Sequence, residues 1–221
     1  MVCSRKGGLF PAASFSLLVG CGGPDPVTFP SLLEPLEEIS VAPPEGTAAD
    51  PYPEEVAWDS GDDGERGWIH ARGYLHATMQ EAWASLRDER VFIDHRKITE
   101  YELEELEPGD YDYVYLVSNT VDDILTVEFD VEWRHSASPP GSSSPSSVAV
   151  RWQKTEGTGF ISLLQGSVLF FPPEEGGDVV EVQIIEHLSA AQDQEENAVQ
   201  YVLDLYERWR LAVRGDDPLD Y

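Results

Sequence analysis

The stretch DQEENAVQYVLDLYERWRLAVR, running from Asp193 to Arg214, decides the fold. Its apolar residues Ala198, Val199, Val202, Leu203, Leu205, Tyr206, Trp209, Ala212 and Val213 recur at spacings of three and four, which places them on one broad face of an α-helix. Asp193 followed by Glu196 has capping-box spacing, Arg208, Arg210 and Arg214 suit the negative end of the helix dipole, and Gly215 supplies a stop. A face this wide, carrying a Tyr and a Trp, needs a large cover. The run of strands that precedes the helix is the candidate.

Working backwards, strands are predicted over 178–187, 160–171, 148–154, 124–134, 111–118 and 97–106. The clearest alternation lies in 124–134, where Leu125, Val127, Phe129, Val131 and Trp133 share one side. Connections through Gly157 and Gly159, and through Pro172 to Gly177, have hairpin character, whereas 136–147 is a Ser/Pro-rich loop. Upstream, 68–77 alternates as a first strand. Thr78 with Glu81 forms a second capping box opening a helix through Leu86, and a short helix or turn fits 91–95. Strand, helix, small helix, some six strands and a long helix describe an α+β fold: a curved antiparallel sheet wrapped around the C-terminal helix.

Within that order, Ala77-Thr78-Met79-Gln80-Glu81-Ala82-Trp83-Ala84-Ser85-Leu86-Arg87-Asp88 resembles the first-helix pattern of the START-like, polyketide-cyclase-like (SRPBCC) superfamily. The resemblance covers 67–215 and implies a helix-grip fold with an apolar cavity between sheet and last helix. Relatives of this kind carry hydrophobic compounds or lipids, and a minority catalyse cyclisation or hydrolysis. The early helix sets the chain apart from a lipocalin-like barrel.

The candidate cavity wall is Phe129, Val131, Trp133, Val150, Trp152, Leu164, Val168 and Phe170 from the strands, with Val202, Leu205, Tyr206 and Trp209 from the helix. Each is equally explained as ordinary core. His70, His76, His95, His135 and His187 are scattered and read as edge or exposed residues, although folding can bring His70 or His76 near His187. No catalytic residue, metal set or cofactor is assigned. There is no Gly-x-Ser-x-Gly elbow, and the Gly-rich sites sit in turns rather than opening a helix. An enzyme on this fold needs inward polar groups, for which His70, Arg72, Tyr74 and Arg151 are the candidates.

Residues 22–65 hold twelve acids, no Lys or Arg, and eight prolines from Pro24 to Pro53. That composition predicts an extended, disordered tether over 21–65, with Leu32, Leu33, Leu36 and Ile39 as an alternative docking motif. Before it, Arg5 and Lys6 precede a short apolar run ending in Leu18-Val19-Gly20-Cys21. These four residues resemble the lipobox of bacterial lipoproteins. The resemblance implies a signal peptide over 1–20, lipidation of Cys21 and a membrane-tethered envelope protein, and Gly22 in place of Asp points to the outer membrane in a Gram-negative cell. With Cys3 removed and Cys21 blocked, no thiol remains for catalysis, metal or a disulfide.

The formal charge of −28 disfavours nucleic acid and anionic lipid surfaces as partners. The folded domain is predicted over 66–215, with a tail at 216–221. A hydrophobic small molecule or lipid is the expected partner, together with a membrane reached through the lipid anchor. An interaction module with a filled core is the second reading, and a cyclase or hydrolase the third.

Overall fold

The computed structural model describes residues 29–30, 32–142, 144–175 and 177–220. The signal peptide, the Leu18–Cys21 motif and both cysteines lie outside the described residues. No helix among the described residues is long and apolar enough to cross a membrane.

The elements in order are β1 (Val56–Asp62), β2 (Gly67–Leu75), α1 (Met79–Leu86), α2 (Glu89–Phe92), β3 (Glu100–Glu105), β4 (Tyr113–Asp122), β5 (Thr126–Ser138), β6 (Ser147–Gly157), β7 (Ile161–Phe171), β8 (Val180–Ala190) and α3 (Gln194–Arg214). All eight strands belong to one curved sheet in the order β1-β2-β8-β7-β6-β5-β4-β3, and every pairing is antiparallel. This is the expected α+β helix-grip arrangement. The three helices lie on the inner face, where α3 packs against β2, β8 and β1 and touches both short helices. Because α3 rests at that end of the sheet, the inner sides of β4 to β7 look across a space.

The Thr78 capping box forms as expected: Glu81 N–H donates to Thr78 Oγ1 at 3.2 Å and Thr78 N–H to Glu81 Oε2 at 2.9 Å. The corresponding box at Asp193 does not. Asp193 has φ 51°, a left-handed conformation, and makes no side-chain cap bond. A capping residue needs extended backbone to aim its side chain at the first turn. The helix start is tied down by other means: Ser60 Oγ donates to Glu195 Oε1 at 2.7 Å and Gln194 Nε2 to Asp62 Oδ2 at 3.0 Å. Gly67 permits this approach, since a Cβ there would lie 2.4 Å from the Glu195 nitrogen. Gly215 ends the helix with φ 81°, as expected of a left-handed stop.

The arginines of α3 find specific partners in place of a general dipole role. Arg208 is fully buried and donates to the carbonyls of Asp204 and Ile93, Arg210 pairs with Glu207, and Arg214 pairs with Glu54.

The tether expected over 21–65 is corrected from Phe29 onward. Val56–Asp62 forms edge strand β1, paired along its length with β2. Residues 29–30 and 32–40 lie across the outer face of the sheet as a strap. Phe29 and Leu33 are buried against Ala149, beside Tyr111 and Leu169, and the Arg134 guanidinium stacks 4.1 Å over the Phe29 ring. Tyr111 Oη donates to the Pro30 carbonyl at 2.7 Å, and Leu36 N–H donates to Ser167 Oγ at 3.0 Å. Further on, Tyr52 packs edge-on against Tyr74 at 5.1 Å. Composition failed here because the strap has no core of its own. The sheet supplies its apolar partners and its hydrogen-bond donors and acceptors.

Candidate functional site

The space between sheet and helix is a cavity of about 540 Å³. Its floor is the inner side of β4 to β8. Its roof is the first half of α3, with Asn197 and Tyr201, and the end of α2 with the segment after it, from Phe92 to Ile98. Alternation places Val117, Asn119 and Val121 of β4 inward, and likewise Val127, Phe129, Val131 and Trp133 of β5. Ile124, Leu125 and Phe160 line the cavity yet are substantially exposed, so they form its mouth at the β4–β5 and β6–β7 turns.

Of the twelve wall residues expected from sequence, Phe129, Val131, Trp133, Trp152 and Leu164 line this cavity. Val150, Val168, Phe170, Val202, Leu205, Tyr206 and Trp209 do not; all seven belong to the packed core instead. Trp209 has no exposed surface. Its Nε1–H donates to the Ala82 carbonyl at 2.8 Å, and its ring meets Phe170 edge-on at 5.3 Å. Tyr206 donates to the Tyr74 carbonyl at 2.6 Å. These two plug the end of the sheet where α3 rests. The cavity lies beside them, toward the start of the helix.

The inner wall is aromatic. Trp133 and Trp152 stack with centroids 4.7 Å apart, and Phe92 packs 5.0 Å from Trp133. The Trp152 indole lies flat on Gly166, where any Cβ would fall 1.8 Å from its Cζ2, so only glycine leaves room for the ring. Held this way, Trp152 directs Nε1–H at Glu186 Oε2, 3.3 Å away.

Glu186 is only 1% exposed and lines the cavity. Burial pushes its carboxyl well above the ordinary carboxylate range and the charge of Asp94 adds to this, while the Trp152 bond opposes it. Burial thus favours its protonated form. Tyr201 Oη donates to the Phe92 carbonyl at 2.9 Å, and Asn119 Nδ2 to the carbonyls of Val117 at 3.0 Å and Phe129 at 3.4 Å. Asp94 and Asp123 are the other acids on the lining, and Lys97, exposed at the rim, is its one basic residue.

Glu186, Asn119 and Tyr201 were not singled out from the sequence. Glu186 did leave a trace: it occupies the inward phase of Val182, Ile184, Glu186 and Leu188, a lone acid in an apolar series. Roof residues such as Phe92 and Ile98 come from a loop with no periodicity and left none.

The polar groups proposed for catalysis point elsewhere. Arg72 pairs with Glu181 at 2.6 Å, and Arg151 donates to the Glu34 carbonyl at 3.2 Å; with His70 and Tyr74 they lie on the outer face or under the strap. None of the four lines the cavity.

Three histidines expected at edges or in solvent are buried. His135 accepts from Trp83 Nε1–H at Nδ1, 3.2 Å away, and lies 3.0 Å from Tyr115 Oη through Nε2. An indole N–H only donates, so Nδ1 is the bare nitrogen and Nε2 carries the proton. Burial, with Arg87 adding, lowers the pKa of this ring to about 3.

His70 and His187 meet on the outer face, and Glu37 of the strap completes the group. Glu37 Oε1 lies 2.8 Å from His70 Nε2 and 3.0 Å from His187 Nε2, and the three ligand-capable atoms fall within 4.8 Å of one another. A metal would need both Nε2 atoms bare. However, the Ser40 N–H reaches His70 Nδ1 at 3.0 Å and Arg66 Nη1 reaches His187 Nδ1 at 2.8 Å. Both are donors only, so each Nδ1 accepts and each Nε2 carries a proton aimed at Glu37. The cluster is a latch for the strap. Burial works to raise the Glu37 pKa, but the bonds from His70 and His187 outweigh it and hold the carboxyl below its ordinary range. Burial lowers the His187 pKa, against the pull of Glu37.

No protein-family model matches the sequence, and no curated protein matches it. Among solved structures, the chain is similar to the human StarD13 lipid transfer and protein localization domain, with TM-score 0.48 and 10% identity over 72% of this chain and 83% of that one. It is also similar to human StAR-related lipid transfer protein 5, with TM-score 0.48 and 13% identity over 72% and 86% of the two chains. A third likeness is to a StAR-related lipid transfer protein fragment from Xanthomonas axonopodis, with TM-score 0.43 and 16% identity over 72% and 97%.

Proposed function

We propose that the domain holds a hydrophobic small molecule or lipid between its sheet and last helix, as a binding or carrier module. The observation that supports this is the cavity of about 540 Å³, walled by Phe129, Val131, Trp133, Trp152 and Leu164 and open through a mouth of exposed apolar side chains. Its size falls in the range of small-molecule sites, and its lining is apolar with few polar anchors, as such sites require. An apolar space of this size, if unfilled, forfeits packing contacts, and a hydrophobic occupant restores them.

Native mass spectrometry of protein purified without detergent is expected to show a bound hydrophobic mass. Val131→Trp, which fills the cavity, should abolish it with the circular dichroism spectrum unchanged. A protein that carries no such mass and takes up no apolar dye overturns the reading.

The same proposal extends to location. Leu18-Val19-Gly20-Cys21 after Arg5 and Lys6 supports a lipid on Cys21, and with it a place in a bacterial envelope, at the outer membrane of a Gram-negative cell. Cys21→Ala should abolish fatty-acid labelling and release the protein; labelling that persists removes this part. Neither depends on the other.

A further inference from the structure

We propose that the ligand is a hydrophobic amine, bound as its ammonium ion with the charged nitrogen against the Glu186 carboxyl. This rests on the cavity reading above and names the chemistry of its occupant.

The polar inventory of the lining points one way. Glu186 has a single hydrogen bond among the described residues, from Trp152 to Oε2, and its other oxygen has no partner there. Tyr201 spends its proton on the Phe92 carbonyl and Asn119 spends its amide protons on two backbone carbonyls, so what each has left to offer is an acceptor oxygen. The acids on the lining are Glu186, Asp94 and Asp123, against one Lys at the rim. The acceptors therefore want a ligand that donates.

An anionic headgroup is a poor match, because no cation among the described residues lines the depth of the cavity. Arg96 is committed to Asp94 and Asp204; Arg208 gives Nε and Nη1 to the backbone carbonyls of Asp204 and Ile93, and its Nη2, without a partner among the described residues, is buried off the cavity lining. A cation is a good match on two counts. It forms a charge-assisted hydrogen bond with Glu186, and the formal charge of −28 draws it toward the protein.

The proton balance is explicit. Burial favours the protonated carboxyl of free Glu186, and pairing with R–NH₃⁺ drives that proton to solvent and leaves an ammonium–carboxylate pair. No covalent bond changes. The groups facing this event are Trp152 from β6, Tyr201 from α3, and Asp94 and Lys97 from the segment after α2.

The test uses the purified protein with decylamine, decan-1-ol and decanoic acid as matched probes. Titration is followed by tryptophan fluorescence and by calorimetry in two buffers of different ionisation enthalpy. Decylamine at pH 7 should bind at least tenfold tighter than decanol and release protons to the buffer. Glu186→Gln should weaken decylamine at least tenfold, whereas Glu102→Gln on exposed β3 should leave it unchanged and so rule out adsorption to the acidic surface. If Glu186→Gln does not fold, the three-probe comparison and the proton count on the unaltered protein still decide. Equal binding of amine and alcohol, tightest binding of the acid, or an amine preference that survives Glu186→Gln each overturns the amine assignment and leaves the cavity reading standing. Failure of all three probes to bind overturns both.

Discussion

Glu186 and His187 are neighbours in sequence on opposite faces of β8. Glu186 looks into an apolar cavity, where Trp152 donates a hydrogen bond to it and burial favours its protonated form. His187 looks outward, yet it is just as buried, because an acidic, proline-rich strap folds over it and places Glu37 on its Nε2. The inner face carries apolar packing with a few polar groups short of partners. The outer face carries hydrogen bonds and ion pairs, almost all with partners, and one small apolar patch under Phe29 and Leu33. The difference teaches that one layer can be packed and open at once: packing toward α3 holds the fold, part of that same layer is left as a cavity, and the outer layer holds the strap.

This contrast breaks if the inner layer is cheap to disturb. Trp209→Ala should cost about 3–5 kcal/mol in urea unfolding, the range for deleting a fully buried Trp. A cost below about 1 kcal/mol would mean that Trp209 is not the plug described.

The next effect is acid sensitivity. His135 is neutral in the fold with a pKa of about 3, below its unfolded value of about 6.5. The unfolded chain takes up the proton first, so this residue's share of stability is present above pH 6.5 and is lost as the pH falls toward 3. The slope is about 1.4 kcal/mol per pH unit. Unfolding measured from pH 7 to pH 4 should therefore fall more steeply in the parent than in His135→Gln. Parallel curves would show that the ring protonates freely.

Gly166→Ala sharpens the contrast within the inner layer. The new methyl meets Trp152 and should cost about 1–3 kcal/mol by overpacking, with a shift in tryptophan fluorescence. An unchanged spectrum would mean that the indole does not rest on this glycine.

The smallest expected effect is on the outer face. Glu37→Gln should cost about 1 kcal/mol or less in global stability, since Glu37 is partly exposed, yet amide exchange over 33–40 should rise sharply. Lowering the pH should free the same segment. Both Glu37 and His187 have depressed pKa values in the fold, so the latch is present near neutrality and is lost as the pH falls. A strap still protected against exchange at pH 3, relative to the intrinsic rate there, would show that hydrophobic contacts at Phe29 and Leu33 hold it, and not the latch.

Much of this architecture was legible before folding. The 3.6-residue period of α3, the Thr78 capping box and the two-residue period of β5 each reflect burial of one side of one element, and local spacing records that. Edge strand β1 was not legible. Val56 to Asp62 carries three acidic or hydroxyl side chains in seven residues, and it is a strand because the β2 backbone offers it a ladder. Asp193 misled for a related reason: it has the side chain of a cap, but the turn out of β8 sets its φ at 51°.

The sequence by itself determined that a sheet precedes a long amphipathic helix, and which strand positions are apolar. Only the tertiary structure decided which apolar residues wall a cavity and which fill the core. Burial period is the same for a side chain facing a void and one facing a helix, and where α3 sits on the sheet separates Trp152 from Trp209. The meeting of Glu37, His70 and His187 was likewise decided in three dimensions, because residues 150 positions apart share no local pattern until strands pair and a strap crosses them.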